Sequence, residues 1–323
     1  MFKIYIIGAG QIGSRHLQAL KKVKIPLDII VIDPSKQSLA VSRQRYEEVS
    51  SARHSHIINY IREIPDGQDI DLAIIATASN IRAKIIKNLL QKNTAQYLIL
   101  EKLLFDKKND YLVIEKIFSK LKIKAWVNCP TRIRPIYQKI QKEMSDRKIS
   151  LRVTGSQWGL ATNAIHYLDF VSDLAKESSY LINADYLDKK LLPSKRKDFL
   201  ELSGTLYADF KNGSRCELTD YNSGSAPWLV EIFNEEKRYI IRQSDGKVWE
   251  SGAKNKWQWK EIIFKTPFIS ETTTGVVEDI LKNGRCHLTP YSESAKIHLA
   301  LLEPLIKFLN KNFSKKYEYY PFT

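Results

Sequence analysis

One hexapeptide near the start narrows the possible folds more than any other feature. "GAGQIG", residues 8–13, fits G-x-G-x-x-G. It follows the apolar run "FKIYIIG" (2–8) without a break and opens "QIGSRHLQALKKV" (11–23). The second stretch puts Ile12, His16, Leu17, Leu20 and Val23 on one helical face, so the glycines lie between a strand and a helix. In that context each glycine has a task. Gly8 permits the tight turn, Gly10 lets a pyrophosphate approach the backbone, and Gly13 lets the helix pack close to the strand. The free N–H groups where the helix begins, at Gln11 and Ile12, complete an anion site.

An acid stands where such a turn needs one. Asp33 ends "LDIIVID" (27–33), and 33 − 13 = 20 residues separate it from the last glycine. A carboxylate there accepts hydrogen bonds from both adenosine ribose hydroxyls and repels a 2′-phosphate. NAD is therefore the expected cofactor, with NADP left open because Lys36 is close enough in sequence to partner a phosphate. A glycine turn that served packing alone would have no use for the acid.

The first 128 residues continue to alternate. After Asp33 come Pro34, a candidate N-cap at Ser35 and a helix to about Glu48. Then follow a strand at 70–77, a helix at 81–91, a strand at 96–100, a helix over about 109–121 and a strand at 123–128. Near-continuous apolar strands imply a parallel sheet covered on both faces. The pattern changes after about Arg134. Helices at 136–144 and 163–175 flank a strand at 149–158. From Leu202 to Phe264, short Tyr-, Trp-, Val- and Ile-rich segments are broken by "KNGS", "NSGSAP", "SDGK" and "SGAKNK". Helices near 271–283 and 292–312 close the chain. The expected fold is α/β, with an N-terminal Rossmann dinucleotide-binding domain (1–128). A C-terminal α+β domain (129–323) with a largely antiparallel open sheet follows it.

Composition excludes some classes and leaves others. No apolar run approaches the ~20 residues that span a bilayer, and the N-terminus does not read as a signal peptide. No membrane association is expected. Cys129, Cys216 and Cys286 form an odd, scattered set without C-x-x-C spacing, which points to reduced thiols in the cytoplasm and to no metal site. The net charge of +15 invites a nucleic-acid reading. The basic residues are spread along the chain, however, and suit an anionic cofactor or substrate equally well, so no nucleic-acid partner is expected.

Two segments carry candidate chemistry. "QYLILEKLLF" (96–105) places Glu101 and Lys102 inside an apolar run, where desolvating charge is costly. Strand counting puts Thr77 and Glu101 at the C-terminal ends of successive parallel strands, the edge where open α/β sheets bind ligands. Thr77, Ala78 and Ser79 should pass beside the nicotinamide ribose, with Glu101 and Lys102 next to them and Glu101 as a counter-charge. A lysine there stabilises developing alkoxide character as hydride leaves. A solvated strand-end pair is the plainer alternative. In "GLATNAIHYLDF" (159–170), Thr162, His166, Asp169 and Asp173 share one helical face. The helix start favours a neutral His166, Asp169 favours the cation, and either leaves the ring able to act as acid or base.

Together these pieces resemble the Gfo/Idh/MocA oxidoreductases. "SRH" (14–16), "AT" (76–77), "EK" (101–102), "RIRP" (132–135), the H-x-x-D helix and "PFISETT…VVEDILKNG…LTPYSESAKIHLALLEPL" (267–305) carry the resemblance over most of the chain. It is greatest to members acting on sugars or nucleotide sugars for bacterial surface polysaccharides. The resemblance implies hydride transfer between the nicotinamide and a sugar carbon bearing a hydroxyl or ketone. Lys102 would hydrogen-bond the reacting oxygen and His166 would shuttle the proton. Asn128 would line the cofactor cleft, and Arg132, Gln157, Trp158, Thr162 and Asn163 would meet the sugar. A homodimer or homotetramer through the C-terminal sheet is implied as well.

Three positions depart from the family pattern. Leu103 replaces the proline of E-K-P, and since a non-proline cis bond costs ~2.5–4 kcal/mol, a trans bond or a shifted Lys102 is expected. Thr162 replaces the acid four residues before the histidine. Arg82 stands near the place of a usual histidine, where it would hold an anionic substrate or, as expected here, lie on a solvated helix face. These departures keep a non-catalytic NAD-binding scaffold open, and an NAD-dependent glycosidase is the related enzyme reading.

Overall fold

The computed structural model describes residues 1–50, 56–265 and 267–323. The chain divides into two compact units. Met1–Pro130 groups with Pro267–Ser294, and Thr131–Thr266 groups with Ala295–Thr323.

The first unit begins β1 (Phe2–Ile7), α1 (Gln11–Leu20), β2 (Leu27–Ile32), α2 (Lys36–Glu47), β3 (Ile57–Ile61), β4 (Asp69–Ile75), α3 (Ser79–Lys92), β5 (Thr94–Leu100), α4 (Lys108–Leu121) and β6 (Lys124–Val127). These six strands pair in parallel in the order β6-β5-β4-β1-β2-β3. Ile4–Ile7, Leu72–Ile75 and Leu98–Leu100 are buried, as strands covered on both faces must be. Ser35 caps α2 by accepting the Ser38 N–H at 3.2 Å, as its position before the helix predicts. The sequence reading has no strand at 57–61. β3 lies at the sheet edge with only half-buried or exposed residues, so it lacks the apolar run that marks its neighbours.

The second unit holds α5 (Pro135–Met144), β7 (Ser150–Ser156), α6 (Leu160–Ala175), β8 (Tyr180–Asn183), β9 (Leu192–Pro193), β10 (Leu200–Glu201), β11 (Gly204–Phe210), β12 (Arg215–Tyr221), β13 (Leu229–Phe233), β14 (Lys237–Arg242), β15 (Lys247–Gly252) and β16 (Lys260–Ile263). Eight of these strands form one sheet in the order β16-β15-β14-β13-β7-β12-β11-β8, and β9 pairs with β10 separately. β7 and β12 run parallel, while the other adjacent pairs of the large sheet are antiparallel. Alternation along the strands buries one face, with Leu151, Val153, Leu206, Ala208, Leu218 and Val230 inside. The other face carries Arg152, Tyr207, Asp209 and Arg215, all exposed.

α7 (Ile269–Asn283) and β17 (Thr289–Pro290) belong with the first unit. Thr274 Oγ1 on α7 donates to the Ala19 carbonyl of α1 at 2.8 Å. β17 pairs antiparallel with β6 and closes that edge of the first sheet. The division between units then falls inside α8 (Tyr291–Asn312), between Ser294 and Ala295. Among the described residues no helix is long and apolar enough to cross a membrane.

Candidate active site

The glycine turn has the geometry its motif predicts. Gly8 sits at φ +96°, and a Cβ there would lie 3.0 Å from Ala76 C and Thr77 N. A Cβ on Gly13 would lie 1.7 Å from the Gly8 carbonyl oxygen. A Cβ on Gly10 would meet nothing within 4 Å, so that glycine leaves open space instead of avoiding a clash. Gly10 also N-caps α1 with no side-chain partner, which leaves the first N–H groups of the helix available to an anion. Asp33 is fixed beside the turn, accepting Ala9 N–H and Ser35 N–H at 2.8 Å each. Arg45 on α2 steadies the first turn of α1 through Ser14 Oγ (2.6 Å) and Gln11 Oε1 (2.7 Å).

On the next strand, Thr77 Oγ1 is buried without a hydrogen bond. Ala78 caps α3, and Ser79 begins it, buried. These residues fit a dinucleotide. The Gly8–Gly13 main chain would take the diphosphate, Asp33 the ribose, and Thr77 would gain a partner for its orphaned hydroxyl.

Glu101 follows β5 directly and is 7% exposed. The sequence reading makes it the counter-charge of Lys102. It accepts hydrogen bonds from His16, whose Nε2–H donates to Oε1 at 2.8 Å, and from Asn128, whose Nδ2 donates at 2.5 Å. The other His16 nitrogen bonds Thr273 Oγ1 at 2.8 Å. Burial pushes the Glu101 carboxyl up. His16, Asn128 and the nearby Arg82 guanidinium outweigh that and hold it below the usual value. Asn128, expected to line the cofactor cleft, is thus fixed by Glu101.

Two further expectations are corrected here. The Lys102–Leu103 bond is cis, where Leu103 suggested trans. The segment after it is fully enclosed, with Leu103, Leu104 and Phe105 at most 1% exposed. Arg82 lies on no solvated face, because it is 0% exposed. Its Nη1 donates to the carbonyls of Leu103 and Leu104 (the latter at 2.6 Å) and its Nη2 to that of Thr77. α3 turns this position inward, and three main-chain acceptors make the buried guanidinium tolerable.

In the second unit, α6 starts at Leu160, three residues before the predicted 163. The cap that permits this comes from another strand. Asp220 on β12 accepts Trp158 N–H (3.2 Å), Gly159 N–H (2.9 Å) and Leu160 N–H (3.2 Å). His166 is therefore the seventh residue of α6, further from the helix start than the sequence placed it. Thr162, Asn163, His166 and Asp173 are the residues of α6 that are not buried. Asp169, expected on that open face, is buried. It is gripped by Arg132, with Nε to Oδ2 at 2.8 Å and Nη2 to Oδ1 at 3.0 Å.

The other candidates have more structural surroundings. Trp158 is 8% exposed, stacks on Trp228 with centroids 5.6 Å apart, and donates to the Thr219 carbonyl. Asn163 donates to the Trp158 carbonyl at 2.6 Å. Gln157, at φ +55°, reaches the Gly224 carbonyl. Sequence reasoning missed Asp220, Glu201, His16 and Arg45 as site-building residues. A signal existed for Asp220, since on β12 it shares the inward side with Cys216 and Leu218, where a charge is out of place. Among the described residues no group of His, Cys, Asp and Glu is placed to hold a metal.

Comparisons with known proteins agree with this geometry. Residues 2–121 match the GFO_IDH_MocA family, described as "Oxidoreductase family, NAD-binding Rossmann fold". No curated protein matches the chain in sequence. Solved structures match it over nearly its whole length. UDP-N-acetylglucosamine 3-dehydrogenase GnnA from Acidithiobacillus ferrooxidans superposes with a TM-score of 0.68 at 10% identity, over 94% of this chain and 96% of that one. An oxidoreductase from Agrobacterium radiobacter, in complex with NAD+, L-tartaric acid and magnesium, gives 0.70 at 15%, over 93% and 94%. A Gfo/Idh/MocA family oxidoreductase from Vibrio cholerae gives 0.69 at 16%, over 98% and 100%. At such identities the structures establish the shared fold. Residues 2–121 are thus similar to the NAD-binding Rossmann domain of that family, and the glycine–acid turn within them has the geometry such a domain requires.

Proposed function

We propose that this protein oxidises or reduces a CH–OH carbon of a sugar or nucleotide sugar, in the biosynthesis of surface-polysaccharide sugars. The observation that carries the reading is the end of the first sheet. β2, β1, β4 and β5 lie side by side, and their C-terminal ends bring Asp33, the glycine turn, Thr77 and Glu101–Lys102 along one edge. The likeness to a UDP-N-acetylglucosamine dehydrogenase supports a nucleotide sugar. Asp33 favours NAD over NADP. The bound nicotinamide supplies the hydride acceptor or donor. Lys102 donates a hydrogen bond to the reacting oxygen, and His166 takes or returns its proton. The open face of the eight-stranded sheet, with Tyr207 and Tyr221 exposed, fits packing of a homodimer or homotetramer. Cys129, Cys216 and Cys286, none of them in a disulfide among the described residues, fit a cytoplasmic setting.

The test is NADH formation at 340 nm with NAD and a panel of UDP-N-acetylglucosamine, UDP-glucose, dTDP-glucose and myo-inositol. Lys102→Met and His166→Ala should each lower kcat about 10²–10⁴-fold while leaving NADH binding, read by fluorescence, unchanged. Turnover that survives both substitutions would remove these roles. No turnover of any sugar by the unmodified protein would overturn the reading.

A further inference from the structure

The start of α6 carries two carboxylates where one would serve as a cap. Asp220 already takes the N–H groups of Trp158, Gly159 and Leu160. Glu201 arrives from β10, a two-residue strand held by β9 and by the Pro321 carbonyl, which accepts Leu200 N–H at 2.8 Å. Glu201 Oε1 accepts Ala161 N–H (2.5 Å) and Leu202 N–H (3.0 Å). Its second oxygen, Oε2, accepts the Thr162 hydroxyl at 2.6 Å. Gly159, at φ +81°, makes room for it, because a Cβ there would lie 3.0 Å from Oε2.

Thr162 is one of the four positions of α6 that are not buried, one turn before His166. A hydroxyl has one hydrogen and two lone pairs, and an ionised carboxylate can only accept. The bond to Glu201 therefore commits the only hydrogen of Thr162, and its oxygen can present nothing but lone pairs to a ligand.

We propose that Glu201 sets the hydrogen-bond polarity of Thr162, so that the start of α6 selects a substrate group that donates: a sugar hydroxyl or an amide N–H. Glu201 is a positioning residue acting through Thr162. This rests on the sugar-oxidoreductase reading above. A glutamine at 201 keeps an oxygen for Ala161 and Leu202. It turns an amide N–H₂ toward Thr162, which frees the hydroxyl hydrogen and reverses its polarity.

The test uses the full chain, NAD and the same four sugars. Glu201→Gln and Thr162→Val should each raise KM at least 10-fold, with kcat within about 3-fold and NADH affinity unchanged. Thr162→Ser should keep the original KM. The double variant should be no worse than Thr162→Val alone, since the two side chains act as one. An unchanged KM in Glu201→Gln, a fall in kcat alone, or additive losses in the double variant would each overturn the proposal while sugar oxidation stands. Should Glu201→Gln not fold, an equal KM for Thr162→Val and Thr162→Ser overturns it as well. If the unmodified protein turns over no sugar while binding NADH, the reading falls and the proposal with it.

Discussion

The two units hold their inward-facing carboxylates in opposite ways. In the first, Glu101 is surrounded by hydrogen-bond donors and a guanidinium brought from elsewhere in the unit: His16 from α1, Asn128 after β6 and Arg82 from α3. Their effect exceeds the cost of burial, and the acid is kept ionised. In the second, Asp220 and Glu201 are met by main-chain N–H groups and a hydroxyl, and burial wins, so both carboxyls are pushed up from their usual values. The first arrangement gives a fixed charge beside Lys102. The second holds its acids with neutral donors, at the helix start proposed above to meet the substrate.

Removing a partner from the fixed-charge cluster should have the largest effect on stability. Arg82→Ala strands the carbonyls of Thr77, Leu103 and Leu104 and should cost on the order of 3–5 kcal/mol in urea unfolding. A cost below about 1 kcal/mol would mean that water replaces the guanidinium and that the cluster is no closed network. Next comes Glu101→Gln, which leaves the Arg82 and His16 side unbalanced and should cost about 2–3 kcal/mol. Glu201→Gln keeps most of its hydrogen bonds and should cost about 1 kcal/mol or less. Equal losses for the two glutamines would erase the contrast between the units.

The smallest effect is a pH dependence. Glu101 has a lowered folded value, so its stabilisation is present above the ordinary value of 4.5 and is lost as pH falls through the folded value. Glu201 has a raised one, so its contribution is complete below 4.5 and declines as pH rises through the folded value. Urea midpoints from pH 3 to 8 should therefore flatten on the acid side in Glu101→Gln and on the side above 4.5 in Glu201→Gln. Parallel displacement of both curves would contradict the assignment.

What could be read from the sequence was local. The turn at Gly8–Gly13, Asp33, the Ser35 cap and most strands of the first sheet are written in adjacent residues with a clear period. Features that depend on residues distant along the chain were not readable. The sequence puts Arg82 on a solvated helix face, because its acceptors lie five to 22 positions away. The sequence pattern starts α6 late because its cap, Asp220, comes 60 residues after Leu160. Glu201 sits in no motif, and only the fold brings it to Thr162.

The return of Pro267–Ser294 to the first unit has a practical consequence. An excised nucleotide-binding fragment ending at Pro130 would retain every glycine of its turn and still be unfinished. Without Thr289 and Pro290, the backbone of Lys124–Val127 would become a bare rim, ready to recruit strands from other molecules. Without Thr273, the imidazole that clasps Glu101 would have one nitrogen orphaned in the interior. Anyone grafting this half onto another protein must carry both stretches of chain, or expect aggregates.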